Sequence, residues 1–166
     1  MAFSPTEGSV LGKLMDTMPQ TGRITWIGIR PERRQKPLAV TTVEAITDQH
    51  LAGDHYQGKP GSKRQVTLIQ AEHLAAVASI MGLPELNPGL IRRNLVVAGI
   101  NLLALKDRQF WVGEVLLTYT GQCHPCSRME ENLGPGGYNA MRGHGGITAR
   151  ILQGGQIKLG DPVRLG

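Results

Sequence analysis

The chain has 166 residues, two of them cysteine, and a formal net charge of +5. That length fits one domain whose core needs no staples, and two cysteines cannot build a disulfide framework. No apolar run reaches membrane-spanning length and Met1 to Gln20 holds no signal-peptide core, so the expectation is a soluble cytoplasmic protein. Basic residues gather at 30–36, at Lys63-Arg64 and at Arg92-Arg93, which points to an anionic partner. No Trp, Tyr or Phe lies inside those clusters, which argues against a base-stacking nucleic-acid binder and for a small phosphate-bearing ligand.

Residues 1–22 read as an N-terminal extension and 23–166 as the domain. Val, Ile and Thr content predicts strands at Arg23 to Ile29, Leu38 to Thr47 and Gln65 to Ile69. A helix follows from Ala71 to Met81, with Leu74, Val77, Ala78 and Met81 on one face and Gly82 and Pro84 as its stop. Further strands are expected at Asn94 to Ala98, Asn101 to Lys106, Phe110 to Val112 and Val115 to Thr120, with a hairpin turn at Lys106-Asp107-Arg108-Gln109. The C-terminal part predicts strands at Gly146 to Ile151, Ile157 to Leu159 and Pro162 to Leu165, separated by turns at Gly154-Gly155 and Gly160-Asp161. With 22 Gly and 10 Pro spread along the chain, many short elements and a mainly β fold are expected.

Both cysteines fall in Cys123-His124-Pro125-Cys126. A dithiol redox site is one reading, but thioredoxin-like folds place such a pair early, before a long helix, and here only a short, glycine-rich remainder follows. A structural zinc would draw on both cysteines with His124, His144 or His55, yet no second Cys or His pair stands at ligand spacing. Two inert buried thiols are a third reading. Cys126 precedes Ser127-Arg128-Met129-Glu130-Glu131-Asn132-Leu133, a candidate short helix whose dipole, with Arg128, would favour a negative sulfur at Cys126. The segments Gly134 to Gly137 and Gly143 to Gly146 read as loops able to approach a ligand closely. Cys123 could resolve an oxidised or persulfidated Cys126, or be a second structural thiol. His55 and His144 are candidate proton carriers or loop-orienting residues, and Asp54 could fix the His55 tautomer or start a turn.

Several ordered elements together resemble a stand-alone bacterial MOSC domain, the module named for the C-terminal region of molybdenum-cofactor sulfurases. They are Gly53-Asp54-His55-Tyr56-Gln57-Gly58, Arg64-Gln65-Val66-Thr67-Leu68, Arg92-Arg93-Asn94-Leu95, Gly121 to Cys126, and Gly160-Asp161-Pro162-Val163. The resemblance implies a partly closed β-barrel with a few short helices. It implies either molybdenum-cofactor (molybdopterin) binding with reduction of N-hydroxylated compounds, or carriage of sulfur as a persulfide received from a pyridoxal-phosphate-dependent cysteine desulfurase. No pyridoxal-phosphate lysine is identifiable here, so that cofactor would belong to the partner. In both activities the family uses the cysteine after proline, here Cys126, as metal ligand or sulfur acceptor. Arg92 and Asn94 match the family's Arg-x-Asn element at the pterin, and Lys63 and Arg64 could meet its phosphate. Arg93 stands where some eukaryotic members have proline, and the additional N-terminal barrel of those members is not expected here. A non-catalytic anion-binding module and a dithiol redox protein using Cys123 and Cys126 are the alternatives.

Overall fold

The computed structural model describes residues 5–55 and 59–166; Tyr56-Gln57-Gly58 of the first motif lie outside the described residues. The elements are α1 (Val10–Asp16), β1 (Gly22–Ile29), β2 (Leu38–Val40), β3 (Thr42–Ala45), β4 (Val66–Gln70), α2 (Ala71–Met81), β5 (Leu95–Ala98), β6 (Gln109–Val112), β7 (Val115–Gln122), α3 (Ser127–Leu133), α4 (Gly137–Met141), β8 (Ile147–Gln153), β9 (Gly155–Lys158) and β10 (Pro162–Leu165).

Seven strands close a barrel in the order β10-β6-β7-β8-β4-β5-β1, because β1 pairs with β10 through Gly22 and Arg23. The expected mainly β barrel is therefore present, and it is fully closed. All its neighbours are antiparallel except β4 and β5, which α2 joins as a parallel pair. Closure removes the exposed edges that a sheet of this size would otherwise present. Strand β2 adds to the far end of β1, and β3 pairs with β9 in a separate two-stranded sheet.

The apolar runs in β4 and β5 are buried on both faces. Val66, Leu68, Leu95 and Val97 fill the barrel with Phe110 and Leu117, while Ile69 and Val96 face outward under Leu74, Val77, Met129 and Met141 from the helices. A strand covered on both faces reads as a continuous hydrophobic run, which is why these two were plain in the sequence. Helix α2 has the expected bounds, and Gly82 (φ 72°) ends it by donating its N–H to Ala78 and Ser79 carbonyls.

Three expectations need correcting. Asn101 to Lys106 is not a strand but a 3-10 turn, Leu102–Leu105, in which Asn101 Oδ1 accepts from Leu103 N at 3.1 Å and Gln70 Oε1 from Leu102 N at 2.8 Å. Leu102 and Leu105 are buried three apart, the period of that turn. Lys106 to Gln109 accordingly leaves a 3-10 turn instead of closing a hairpin. Leu38 to Thr47 is two strands, since the chain changes sheets at Thr41. The loops expected at Gly134 to Gly137 and Gly143 to Gly146 are present apart from Gly137, and between them lies α4, whose start is fixed by Glu130 accepting from Gly136 N at 2.7 Å and Tyr138 N at 2.9 Å. Within the N-terminal extension, α1 begins at Ser9, whose Oγ accepts from Gly12 N at 3.0 Å, and Asp16 pairs with Arg108. Among the described residues no helix is long and apolar enough to cross a membrane.

Candidate functional site

The end of β1 and the starts of β4 and β5 meet at one rim of the barrel, and Asn94 ties them together. Its Oδ1 accepts from the Thr67 N–H and hydroxyl, each at 3.0 Å, while its Nδ2 donates to Gly28 O at 3.2 Å and to Asp54 Oδ2 at 3.4 Å. All four hydrogen-bonding positions of the amide are thus filled by the protein itself. Asp54, 7% exposed, also accepts from Arg30 N at 2.8 Å, so both its oxygens hold the rim together.

Over this rim lies an open cleft of about 390 Å3, solvent mouth included, into which Arg30, Arg64, Arg92 and Arg93 converge. Asp54 is the carboxylate among the lining residues. Burial pushes the Arg30 guanidinium below its ordinary value, with Asp54 opposing the shift and Arg64 and Arg128 adding to it. Burial is the leading cause, and the nearby acid does not cancel it.

Arg93 is the unusual member, because it is 4% exposed. Its Nε donates to Gly145 O and its Nη1 to Ile91 O, both at 2.8 Å, whereas Nη2 is buried with no hydrogen-bond partner among the described residues. Burial pushes this guanidinium down as well; Cys123 opposes the shift, Arg64 adds to it, and Cys126 opposes it. Both cysteines therefore lie within the electrostatic reach of Arg93. A buried cation with no carboxylate partner among the described residues is costly, and an unpaired buried donor adds to that cost.

The loop from β7 to β8 brings the sulfur to this rim. Cys123 N donates to Gly146 O at 2.8 Å, and Gly145 and Gly146 must be glycine for the loop to pack there. A Cβ on Gly145 would stand 1.9 Å from Cys123 O, and one on Gly146, already at φ +84°, would stand 1.9 Å from Leu68 O. Cys123 is 3% exposed, whereas Cys126 is exposed; both are free thiols. Cys126 is the N-cap of α3 and makes no side-chain cap bond, which leaves its sulfur available.

The residues singled out from sequence divide accordingly. Arg64, Arg92 and Asn94 line the cleft and Cys126 lies within electrostatic reach of it. Lys63 is exposed outside that lining, its carbonyl accepting from the Thr120 hydroxyl. His55 is exposed next to Asp54, with its N–H donated to Arg30 O, and both Asp54 oxygens serve Arg30 and Asn94. His144 packs edge-on against His73 of α2 at 5.0 Å, its Nδ1 lying 3.2 Å from Ala140 O. Arg30, Asp54 and Arg93 are cleft residues that the motifs did not single out as binding residues. Arg30 and Arg93 were visible as members of basic clusters, but nothing local said which arginine would turn inward. Among the described residues no three His, Cys, Asp or Glu side chains gather as a metal site.

A family model for the MOSC domain matches residues 48–164. In fold, the chain is similar to the YuaD protein from Bacillus subtilis, with a TM-score of 0.73 and 17% identity over 87% of this chain and 94% of that one. It is also similar to YiiM from Geobacillus stearothermophilus (TM-score 0.68, 19% identity, 87% and 75% covered) and to YiiM from Escherichia coli (0.66, 18%, 87% and 69%). No curated protein sequence gives a significant match. The family match spans the cleft residues Asp54, Arg64, Arg92, Arg93 and Asn94 as well as both cysteines, and the chain belongs to the MOSC domain family.

Proposed function

We propose that this chain binds the molybdenum cofactor in the basic cleft, with Cys126 as the protein's sulfur ligand to the metal. The convergence of Arg30, Arg64, Arg92 and Arg93 on one cleft carries this reading, since guanidinium groups hold a phosphate through charge-assisted, bidentate hydrogen bonds. Arg93, Arg64 and Arg30 would hold the phosphate, and Asn94 and Asp54 keep Arg30 and the rim in place. The residues present fit the cofactor in charge and in donor type, because a thiolate is a suitable soft donor for the metal. When bound, the cofactor supplies two-electron redox chemistry, and N-hydroxylated compounds are the substrate class that the family suggests. The chain's own contribution is a cationic floor, an exposed sulfur, and a loop held by Gly145 and Gly146 that fixes one against the other.

The exposure of Cys126 favours a second reading, in which the thiolate accepts a sulfane sulfur from the persulfide of a pyridoxal-phosphate-dependent desulfurase. The two separate cleanly. Protein from a cofactor-competent cell should carry molybdenum and pterin, and Arg93→Met should lose the pterin. A carrier would instead gain one sulfur atom on Cys126 after incubation with a desulfurase and cysteine. Wild-type protein with neither would sink both readings.

A further inference from the structure

Across Arg92 and Pro37 the cleft continues into a second one of about 400 Å3, its solvent mouth included. Arg34 and Lys36 from the β1–β2 connection, Arg92, and Arg128 from α3 line it, and no acidic residue does so among the described residues. The exposed Glu32, outside the lining, accepts from Nε2 of the lining residue Gln35 at 3.0 Å. Two of the cations, Arg34 (φ 68°) and Arg92 (φ 59°), hold a left-handed backbone that residues with side chains rarely adopt. Arg30 of the first cleft feels Arg128 of the second as a like charge, so both clefts share one positive field. Arg128 stands two residues after Cys126 in the first turn of α3, and Asn132 pins that helix to the wall by donating to Leu90 O at 2.8 Å.

We infer that the second cleft binds a second phosphate-class anion, separate from the one at Arg93, and presents the molecule carrying it to Cys126. This rests on reading the first cleft as a phosphate site, though not on molybdenum. Arg128 and Arg34 bracket the anion, while Arg92 touches both clefts. A phosphorylated substrate or a second phosphate on an extended cofactor would supply the same chemistry. The closeness of Arg128 to Cys126 in the chain favours the substrate.

Calorimetric titration of the full chain, made without cofactor, with inorganic phosphate at low salt tests this. Two phosphates per chain are expected. The double variant Arg34→Met with Arg128→Met should weaken one class about tenfold and the other by much less, and Arg93→Met should do the reverse. A single phosphate per wild-type chain, or a double variant that titrates like the wild type, would overturn the inference. Should the double variant unfold, Arg34→Met alone, on an exposed loop, reads the same class. Inorganic pyrophosphate that fills both clefts with one molecule assigns the second anion to an extended cofactor. Pyrophosphate that leaves the second cleft open to phosphate assigns it to a substrate. Metal analysis of protein from a cofactor-competent cell tests the molybdenum reading separately, so either idea can fail without the other.

Discussion

Arg93 has both cysteines within its electrostatic reach, one buried and one exposed. Cys123 is buried beneath the Gly145-Gly146 backbone while Cys126 caps α3 in the open, so their reactivities should differ sharply. Native protein treated with iodoacetamide should take one label, on Cys126, and a second only after unfolding. Peptide mapping that finds Cys123 labelled first would contradict this. Asp48 shows a different use of charge: it accepts from Arg150 Nε at 2.7 Å, Gln65 Nε2 at 3.0 Å and Gly61 N at 2.9 Å. The bonds from Arg150 and Gln65 lower its carboxyl from 3.8 to about 2, against the opposing effect of burial. A value lower in the folded than in the unfolded chain means that the stabilisation is complete above about pH 5 and fades as pH falls toward 2. The gap in urea midpoint between wild type and Asp48→Asn should therefore be widest near neutrality and shrink between pH 5 and pH 2. A gap that stays constant would show that Asp48 acts without its charge.

At the scale of elements, the site depends on one loop arriving in register. The Arg93 to Gly145 bond joins residues 52 apart, and the contact of Gly145 with the Cys123 carbonyl leaves no room for a side chain. Gly145→Ala should cost about 2–4 kcal/mol in denaturant melts and abolish anion binding together. Loss of neither would mean that the loop is not held as described. Such contacts also explain what could be read from sequence. Helix α2 was legible to the residue because its period and its Gly82 stop are local signals, and β4 and β5 were legible because burial on both faces makes them continuously apolar. The 3-10 turn at Leu102–Leu105 was misread because its apolar residues, three apart, sit among short β-like segments. Cys126 stood out through Pro125 and the helix after it. The inward turn of Arg93 did not, since its partner comes from a distant loop.

For the whole molecule, the barrel is closed by β1, which lies before the segment that the family model matches. β1 pairs with both β5 and β10, and its Ile24 and Ile27 are buried in the barrel core. Ile27→Ala should cost about 2–5 kcal/mol, like other large-to-small changes in a closed core. A chain starting at Asp48 should fail to fold, because two barrel edges would be left unpaired. A soluble, cooperatively melting fragment would show that β1 is dispensable. The closed barrel makes a rigid frame for its rim, and on that rim four arginines meet around a single buried carboxylate. The account turns on whether an anionic molybdenum cofactor answers that charge with Cys126 as its ligand. Native mass spectrometry with metal analysis, on wild type and Cys126→Ser from a cofactor-competent cell, measures this most directly. Wild type should carry molybdenum and pterin, and Cys126→Ser should lose the metal; a bare wild type, or a serine variant with undiminished molybdenum, would contradict the account.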